Sequence, residues 1–199
     1  MQRYDYLKTI AQASGNALAV CTGWSAREWW ALRPSEGNLK TRTLGLVSSI
    51  AAGLAVALPH RKVIAIDGDG AFLMNLCGLP TIALQNPGNL IHLLFDNECY
   101  EASGGTATAS QLADAVTLAK GAGYKQALWV KSPDEFQDAF VRANERNELT
   151  LIAVKVEPGQ PANLPALTLD EIENKYRFMR YLEETEKTRI LNSGFDSKP

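Results

Sequence analysis

Residues 62–97, with the sequence KVIAIDGDGAFLMNLCGLPTIALQNPGNLIHLLFDN, decide the fold of this chain. The run at 62–67 is apolar, continuous and rich in β-branched residues, which is typical of a strand covered on both faces. A helical pattern follows at 71–85, and an Asn-Pro-Gly turn separates it from a second apolar run at 90–95. This stretch therefore predicts two parallel strands joined by a crossover helix.

The same alternation continues on both sides of this stretch. Apolar runs predict further strands at 17–21, 128–130 and 149–156, and helical spacing predicts helices at 4–14, 25–32, 45–58, 111–122 and 132–144. Strands that alternate with helices indicate an α/β fold, in which helices cover both faces of a parallel sheet.

A proline-rich segment at 158–165 marks the end of this unit. Beyond it, the charged stretch 168–191 has acidic residues near its start and basic residues near its end, as the helix dipole favours. We therefore expect a domain at 1–165 and a helical tail at 166–199.

Composition and charge limit the possible partners. The chain has 199 residues, and its 20 Lys and Arg against 22 Asp and Glu give a net charge of -2, so no basic surplus attracts nucleic acid or an anionic membrane. The longest mostly apolar stretch, 45–58, is too short to cross a hydrocarbon core of about 30 Å. The first residues lack the apolar centre of a signal peptide. We expect a cytoplasmic protein that binds neither nucleic acid nor membrane.

Three cysteines, Cys21, Cys77 and Cys99, are an odd number without a CxxC motif. This pattern favours neither a disulfide framework nor a cysteine-based metal site. We expect buried free thiols in a reducing compartment.

Polar residues follow the two strands of the opening stretch. Asp69 lies between two glycines directly after the first strand, and Asn97 follows the second. Parallel sheets bind ligands at the carboxyl ends of their strands. The Asp69 carboxylate, the Asn97 amide oxygen and a backbone carbonyl just beyond, that of Cys99, form a ligand set suited to Mg²⁺ that also contacts phosphate. An isolated Gly-Asp-Gly is ordinary turn chemistry, so the prediction depends on the pair.

Gly-Asp-Gly, 26 intervening residues and an Asn at the end of an apolar strand resemble the diphosphate-binding signature of thiamine-diphosphate-dependent enzymes. That signature often has two consecutive asparagines, and the second is the metal ligand, a role that falls here to Asn97. Asp96 departs from the pattern but leaves this ligand intact. The resemblance implies thiamine diphosphate and Mg²⁺ as cofactors, with a cofactor-binding turn made of Gly68, Asp69, Gly70 and Ala71.

The resemblance covers about residues 15–157. TGWSARE at 22–28, TLGLVSSIAAGLAVAL at 43–58 and the stretch 68–105 look like the diphosphate domain of the sulfopyruvate and phosphonopyruvate decarboxylases. The resemblance implies that a loop with Thr22, Gly23 and Ser25 helps to hold the diphosphate of the cofactor. It also implies that Leu44 wedges beneath the bent cofactor, and that the Arg42 carbonyl accepts a hydrogen bond from the aminopyrimidine.

Residues just past the metal loop are candidates for contact with substrate. Glu101 is a candidate proton donor, or a residue that orients one. Backbone N–H groups and hydroxyls at Ser103, Gly104, Gly105 and Thr106 form a candidate cradle for an anionic substrate tail.

Full-length enzymes of this class carry a second α/β domain, which supplies a glutamate that activates the cofactor. A chain of 199 residues has no room for it. The resemblance therefore implies the β subunit of a split decarboxylase, active only in a hetero-oligomer with an α subunit that carries the pyrimidine-binding domain. The favoured reaction converts sulfopyruvate to sulfoacetaldehyde and CO₂.

Alternative functions stay open at this point. One is a subunit of a decarboxylase or carboligase acting on phosphonopyruvate or another 2-oxo acid. Another is a non-catalytic subunit that stabilises a partner, although Asp69 and Asn97 argue against a degenerate site. An NAD-binding domain is disfavoured because GxGxxG is absent. A ferredoxin-dependent oxidoreductase is disfavoured because the scattered cysteines supply no cluster ligands.

Overall fold

The computed structural model describes residues 1–190. Residues 191–199, the end of the predicted tail, lie outside the described residues. In chain order the elements are α1 (Arg3–Ile10), β1 (Leu18–Thr22), α2 (Gly23–Leu32), β2 (Asn38–Thr41), α3 (Val47–Ala57), β3 (Val63–Gly68), α4 (Asp69–Leu73), α5 (Gly78–Gln85), β4 (Leu90–Asp96), β5 (Cys99–Tyr100), β6 (Thr106–Ala107), α6 (Ala115–Gly121), β7 (Gln126–Val130), α7 (Pro133–Arg146), β8 (Thr150–Lys155) and α8 (Glu171–Glu186).

Six parallel strands form the central sheet, in the order β2-β1-β3-β4-β8-β7. Successive residues of a strand face opposite sides, so Val63 and Ala65 of β3 join one apolar core, whereas Ile64 and Ile66 join the other. Helices α3, α5, α6 and α8 cover the first face, and α1, α2 and α7 cover the second. The predicted α/β fold with helices on both faces is confirmed.

The predicted helix at 71–85 is in fact two helices, α4 and α5, separated by residues 74–77. Pro80 lies in the first turn of α5. A proline ring collides with the carbonyl four residues earlier, so a continuous helix through this point is disfavoured. Asn75, in the break, donates from Nδ2 to the carbonyl of Gly45 at 2.7 Å, which ties the break to the loop before α3.

In two regions the observed elements differ from those that the sequence pattern predicts. The predicted helix at 111–122 begins only at Ala115, because Asp114 caps it by accepting from the Thr117 N–H. Residues 109–111 instead form a short 3-10 turn, and β5 pairs with β6 in a small antiparallel hairpin. Strand β2 was not predicted, since its sequence, NLKT, lacks an apolar run.

The cysteines are less buried than predicted. Cys21 is buried within β1, but Cys99 is half-buried and Cys77 is exposed, and all three are free thiols. Within residues 1–190, no helix is long and apolar enough to cross a membrane.

Helix α8 covers β2, which is an edge strand of the sheet. Phe178 and Leu182 of α8 enter the same apolar core as α3 and α5. Asn174 is fully buried; its Oδ1 accepts from the Lys40 N–H at 2.7 Å, and its Nδ2 donates to the Asn38 carbonyl at 3.0 Å. One side chain thus satisfies backbone groups that an edge strand otherwise leaves unpaired.

Replacement of Asn174 tests this role. Asn174→Ala leaves an N–H and a carbonyl of β2 without partners, and we expect it to lower the free energy of unfolding by about 1–3 kcal/mol. Chemical denaturation measures the loss. Tyr176→Ala, at an exposed position of the same helix, is the control and should cost about 0.5 kcal/mol or less. Equal stabilities of the two variants would contradict the account of the edge.

Candidate active site

The carboxyl ends of β1, β3 and β4 meet at one edge of the sheet. Cys21 lies opposite Ile66, and Gly68 lies opposite Phe95, so the residues that follow these three strands become neighbours. A cleft of about 90 Å³ opens there. Its lining comes from the segments at the ends of all three strands, the loop after β4, the start of α1 and the loop after β2: Arg3, Thr22, Trp24, Ser25, Leu44, Asp67, Gly68, Asp69, Gly70, Ala71, Phe95, Asn97, Cys99, Tyr100, Glu101, Ala102 and Ser103.

Asp69 is a buried carboxylate held by two hydroxyls. Thr108 donates to its Oδ2, and the Ser110 hydroxyl lies 3.0 Å from the same oxygen. Burial raises the pKa of Asp69 above its ordinary value, and the nearby Asp96 raises it further, whereas the two hydroxyls lower it. A hydrogen bond from the Asn97 backbone N–H also lowers the pKa of Asp69, so this carboxylate contacts the loop after β4 as well as the two hydroxyls.

Asp96 stands where the family signature often has asparagine, and it forms an ion pair with Lys155. It lies opposite Lys155 in the pairing of β4 with β8, and the Lys155 ammonium is 2.8 Å from its Oδ2. Burial alone would lower the pKa of Lys155, but its hydrogen bonds with Asp96 and Glu98 raise it above the usual value. The ion pair compensates the negative charge that this chain has where the family often has asparagine.

The Asn97 side chain is oriented by hydrogen bonds at both ends. Its Oδ1 accepts from the Cys99 N–H at 3.1 Å, and its Nδ2 donates to Glu101 Oε2 at 3.2 Å. Between these residues Glu98 adopts a left-handed φ of 59°, which turns the chain sharply after β4. The turn brings Asn97 and Cys99 into the cleft that Asp69 lines.

Helix α2 begins at the cleft. Gly23 has a φ of +53°, which suits glycine, and it starts the helix directly after β1. The Thr22 hydroxyl donates to the Thr41 carbonyl and the Ser25 hydroxyl to the Thr22 carbonyl, so neither side chain caps the helix. The first N–H groups of α2 therefore remain available for an anion such as a phosphate.

The two glycines beside Asp69 play different roles. A Cβ on Gly70 would lie 2.4 Å from Tyr100 Cε1, so the Tyr100 ring excludes any side chain there. A Cβ on Gly68 would meet only the Phe95 carbonyl, at 3.9 Å. Neither glycine has a positive φ. Close packing against Tyr100, not an unusual turn, therefore explains Gly70.

The structure brings most of the predicted site residues together. The lining of the cleft includes Asp69 and its neighbours Gly68, Gly70 and Ala71, together with Thr22, Ser25, Leu44, Asn97, Cys99, Glu101 and Ser103. Gly104, Gly105 and Thr106 are exposed in the hairpin turn and do not line it. The Arg42 side chain points to Glu171, 3.1 Å away, so only its carbonyl is a candidate for the cofactor.

The donor set fits Mg²⁺ shared with a diphosphate. Residues 1–190 contain no group of three or more His, Cys, Asp or Glu placed to hold a metal. The Asp69 carboxylate, the Asn97 amide oxygen and the Cys99 carbonyl are hard oxygen donors, but they do not complete an octahedral shell. Magnesium ordinarily keeps a few protein oxygens and takes the rest from phosphate and water.

Sequence reasoning missed Thr108, Ser110 and Lys155, which hold the two buried carboxylates. The 3-10 turn at 109–111 places both hydroxyls near Asp69. The only signal in the sequence is the run of small and hydroxyl residues, TATAS, at 106–110. Such a run is equally typical of an exposed loop.

Fold and site together define a domain that binds thiamine diphosphate. The chain belongs to the thiamine pyrophosphate enzymes: residues 18–154 match their C-terminal TPP binding domain.

Within this family the chain is similar to decarboxylase subunits. It is 33% identical over 182 residues to the sulfopyruvate decarboxylase subunit beta of Methanothermobacter thermautotrophicus. The aligned residues make up 90% of this chain and 95% of that subunit. It is also 32% identical over 164 residues to a phosphonopyruvate decarboxylase of Streptomyces viridochromogenes. Here the aligned residues make up 81% of this chain but only 41% of that enzyme. The chain thus belongs with the decarboxylases of the family, and the predicted family is confirmed.

A solved structure supports the fold. The benzoylformate decarboxylase of Polynucleobacter necessarius superposes with a TM-score of 0.66 at 18% sequence identity, over 81% of this chain and 34% of that chain. The fold therefore occurs as one part of a longer enzyme.

Loss of the Thr108 hydroxyl tests its role beside Asp69. The hydroxyl stabilises the ionised carboxylate, so Thr108→Val should lower the free energy of unfolding by about 1–3 kcal/mol at neutral pH. The pKa of Asp69 should rise further. The deficit should shrink as the pH falls through that pKa, because the protonated carboxyl needs the hydroxyl less.

Denaturant unfolding at a series of pH values measures this effect in the cofactor-free chain. Thr106→Val, which removes an exposed hydroxyl from the same hairpin, is the matched control and should change little at any pH. A deficit for Thr108→Val that does not vary with pH would show that the hydroxyl acts through packing alone.

Proposed function

We propose that this chain is the cofactor-binding β subunit of a thiamine-diphosphate-dependent decarboxylase that acts on an anionic 2-oxo acid, with sulfopyruvate as the favoured substrate. The observation that carries the proposal is the meeting of Asp69, Asn97 and the start of α2 around one cleft. Oxygen ligands for Mg²⁺ and free N–H groups for phosphate are thus on adjacent walls.

The proposed site assigns a task to each wall of the cleft. Asp69, Asn97 and the Cys99 carbonyl hold Mg²⁺, which binds the diphosphate, while the first turn of α2 donates to phosphate oxygens. Leu44, an exposed residue of the cleft lining, would contact the bound cofactor. When bound, thiamine diphosphate supplies the electron sink that accepts the charge left when CO₂ departs.

Features of the cleft support a partner subunit. Its volume of about 90 Å³ is well below the roughly 300–1,000 Å³ of a complete ligand pocket. Two apolar side chains of the lining are exposed and form a rim: Trp24 is 38% exposed and Leu44 41%. Exposed apolar patches mark interaction surfaces. An α subunit with the pyrimidine-binding domain would cover this rim and supply the activating glutamate.

A second exposed apolar surface also favours a partner subunit. Helices α3 and α5 flank an apolar groove of about 460 Å³, lined largely by small residues such as Ala52, Gly53 and Gly78. Small side chains allow another element to approach closely. The α subunit would therefore extend from the rim of the cleft onto this groove, in a hetero-oligomer.

The proposed substrate class is inferred from the names of similar proteins and from the hydrogen-bond donors beside the cleft. The names of similar proteins point to sulfopyruvate and phosphonopyruvate, which both carry an anionic tail. Ser103 lies at the cleft, and Gly104, Gly105 and Thr106 follow it in the exposed turn. N–H groups and hydroxyls of this turn would bind the tail. The free thiols fit a cytoplasmic location.

Reconstitution tests the proposal. The chain, its candidate α polypeptide and their mixture are each supplied with thiamine diphosphate, Mg²⁺ and a panel of sulfopyruvate, phosphonopyruvate and pyruvate, and CO₂ release is measured. We expect release only from the mixture, fastest with sulfopyruvate. Asp69→Ala in the mixture should abolish it, because the metal loses the carboxylate ligand that we propose for it among residues 1–190.

Each other outcome has a defined meaning. Robust turnover by the chain alone would exclude the split site. Faster release from another 2-oxo acid would replace the substrate but keep the reaction. No release from any mixture, despite formation of the complex, would favour a subunit that only stabilises its partner.

A further inference from the structure

Glu101 is held from three sides. One carboxylate oxygen, Oε1, accepts from the Gly159 N–H, and the other, Oε2, accepts from Asn97 Nδ2 at 3.2 Å. The Arg3 guanidinium lies 3.8 Å from Oε2. The Glu101 side chain is only 18% exposed. It is therefore a fixed acceptor, whereas a surface carboxylate would be mobile and solvated.

Arg3 owes its position to a buried partner. Its Nε and Nη2 donate to the two oxygens of Glu28 at 2.6 and 2.9 Å, a bidentate pair. Glu28 lies on α2 and is fully buried, and Gln160 Nε2 lies 3.3 Å from its Oε1. Arg3 is the one cationic side chain in the lining of the cleft, among the residues the structure describes. Glu28 balances the charge of Arg3. The further contact of Arg3 with Glu101 therefore serves to hold the Glu101 carboxylate in place.

The carboxylate of Glu101 determines which way the Asn97 amide faces. An asparagine amide has an acceptor oxygen at one end and a donor NH₂ at the other. An ionised carboxylate only accepts, so the end that faces Glu101 is the NH₂. The oxygen then lies on the opposite side, where the Cys99 N–H meets it at 3.1 Å. That oxygen is the end a cation requires.

We propose that Glu101 is a positioning residue, which the Arg3–Glu28 pair and the Gly159 N–H hold in place so that the Asn97 oxygen, and not its nitrogen, faces the Mg²⁺. This inference rests on the proposed function for the metal itself. It gives Glu101 a role through Asn97, in contrast to the sequence prediction of a proton donor, or a residue that orients one, just past the metal loop. It also couples α1 and the segment after β8 to the metal loop.

A conservative variant separates orientation from simple packing. Glu101→Gln keeps the size of the side chain but leaves one acceptor oxygen where the Gly159 N–H and Asn97 Nδ2 both need one. One of these donors then faces an NH₂ group. The NH₂ end of the Asn97 amide should lose its fixed acceptor, so that only the Cys99 N–H still orients the amide, although the fold is retained. Arg3→Lys removes the bidentate bond with Glu28 and should weaken the same orientation partially.

The side-chain amide of Asn97 provides a readout without cofactor. In ¹⁵N NMR spectra of the full chain, its NH₂ signals are assigned by their disappearance in Asn97→Ser. We expect one proton shifted downfield and protected from exchange, because it donates to a carboxylate. This signature should vanish in Glu101→Gln and diminish in Arg3→Lys. Glu145→Gln, with the same charge change at an exposed position of α7, should retain it.

Metal binding gives the second readout. With the α polypeptide and thiamine diphosphate present, Glu101→Gln should raise the Mg²⁺ concentration for half-maximal binding by about 10–100-fold. Unchanged Asn97 signals, or an unchanged Mg²⁺ requirement where the parent chain binds, would overturn the proposal. If the parent chain shows the amide signature but never binds cofactor, the orientation stands and the proposed function fails.

Discussion

The parallel pairing of β3 with β4 is the constraint on which the site depends. Its register runs from Val63 opposite Leu90 to Gly68 opposite Phe95, so Asp69 and Asn97 both emerge just beyond the last pair. A slip of one residue would turn every side chain of one strand to the other face of the sheet. The apolar cores on both faces oppose such a slip, so this packing sets the separation of Asp69 and Asn97, the proposed metal ligands.

A second constraint comes from charge. Two acidic side chains, Asp69 and Asp96, are buried close together, and the fold compensates them with the hydroxyls of Thr108 and Ser110 and with the Lys155 ammonium. Buried carboxylates are unfavourable unless they are paired or hydrogen-bonded. The proposed binding of a cation would explain why this cost persists, and the neighbouring residues reduce it by pairing with the two carboxylates.

Much of this arrangement was predictable from local pattern. The buried strands, the order of elements and the pairing of Asp69 with Asn97 follow from periodicity and spacing. The edge strand β2 did not, since tertiary contacts such as those of Asn174 stabilise it. The break before Pro80 was missed although the proline is a local signal, because the helical spacing of apolar residues at 71–85 continues across it. Thr108 and the Arg3–Glu28 pair were also missed, because they meet the site across long sequence separations that no local pattern encodes.

The central claim is that this edge of the sheet binds a diphosphate through Mg²⁺ at Asp69 and Asn97, in a site that a partner completes. Calorimetric titration of thiamine diphosphate with Mg²⁺ into the chain, alone and with the α polypeptide, tests it most directly. We expect binding that appears or tightens with the partner, needs Mg²⁺ and is lost in Asp69→Ala. Binding that survives this substitution, or that never appears with the partner, would contradict the account.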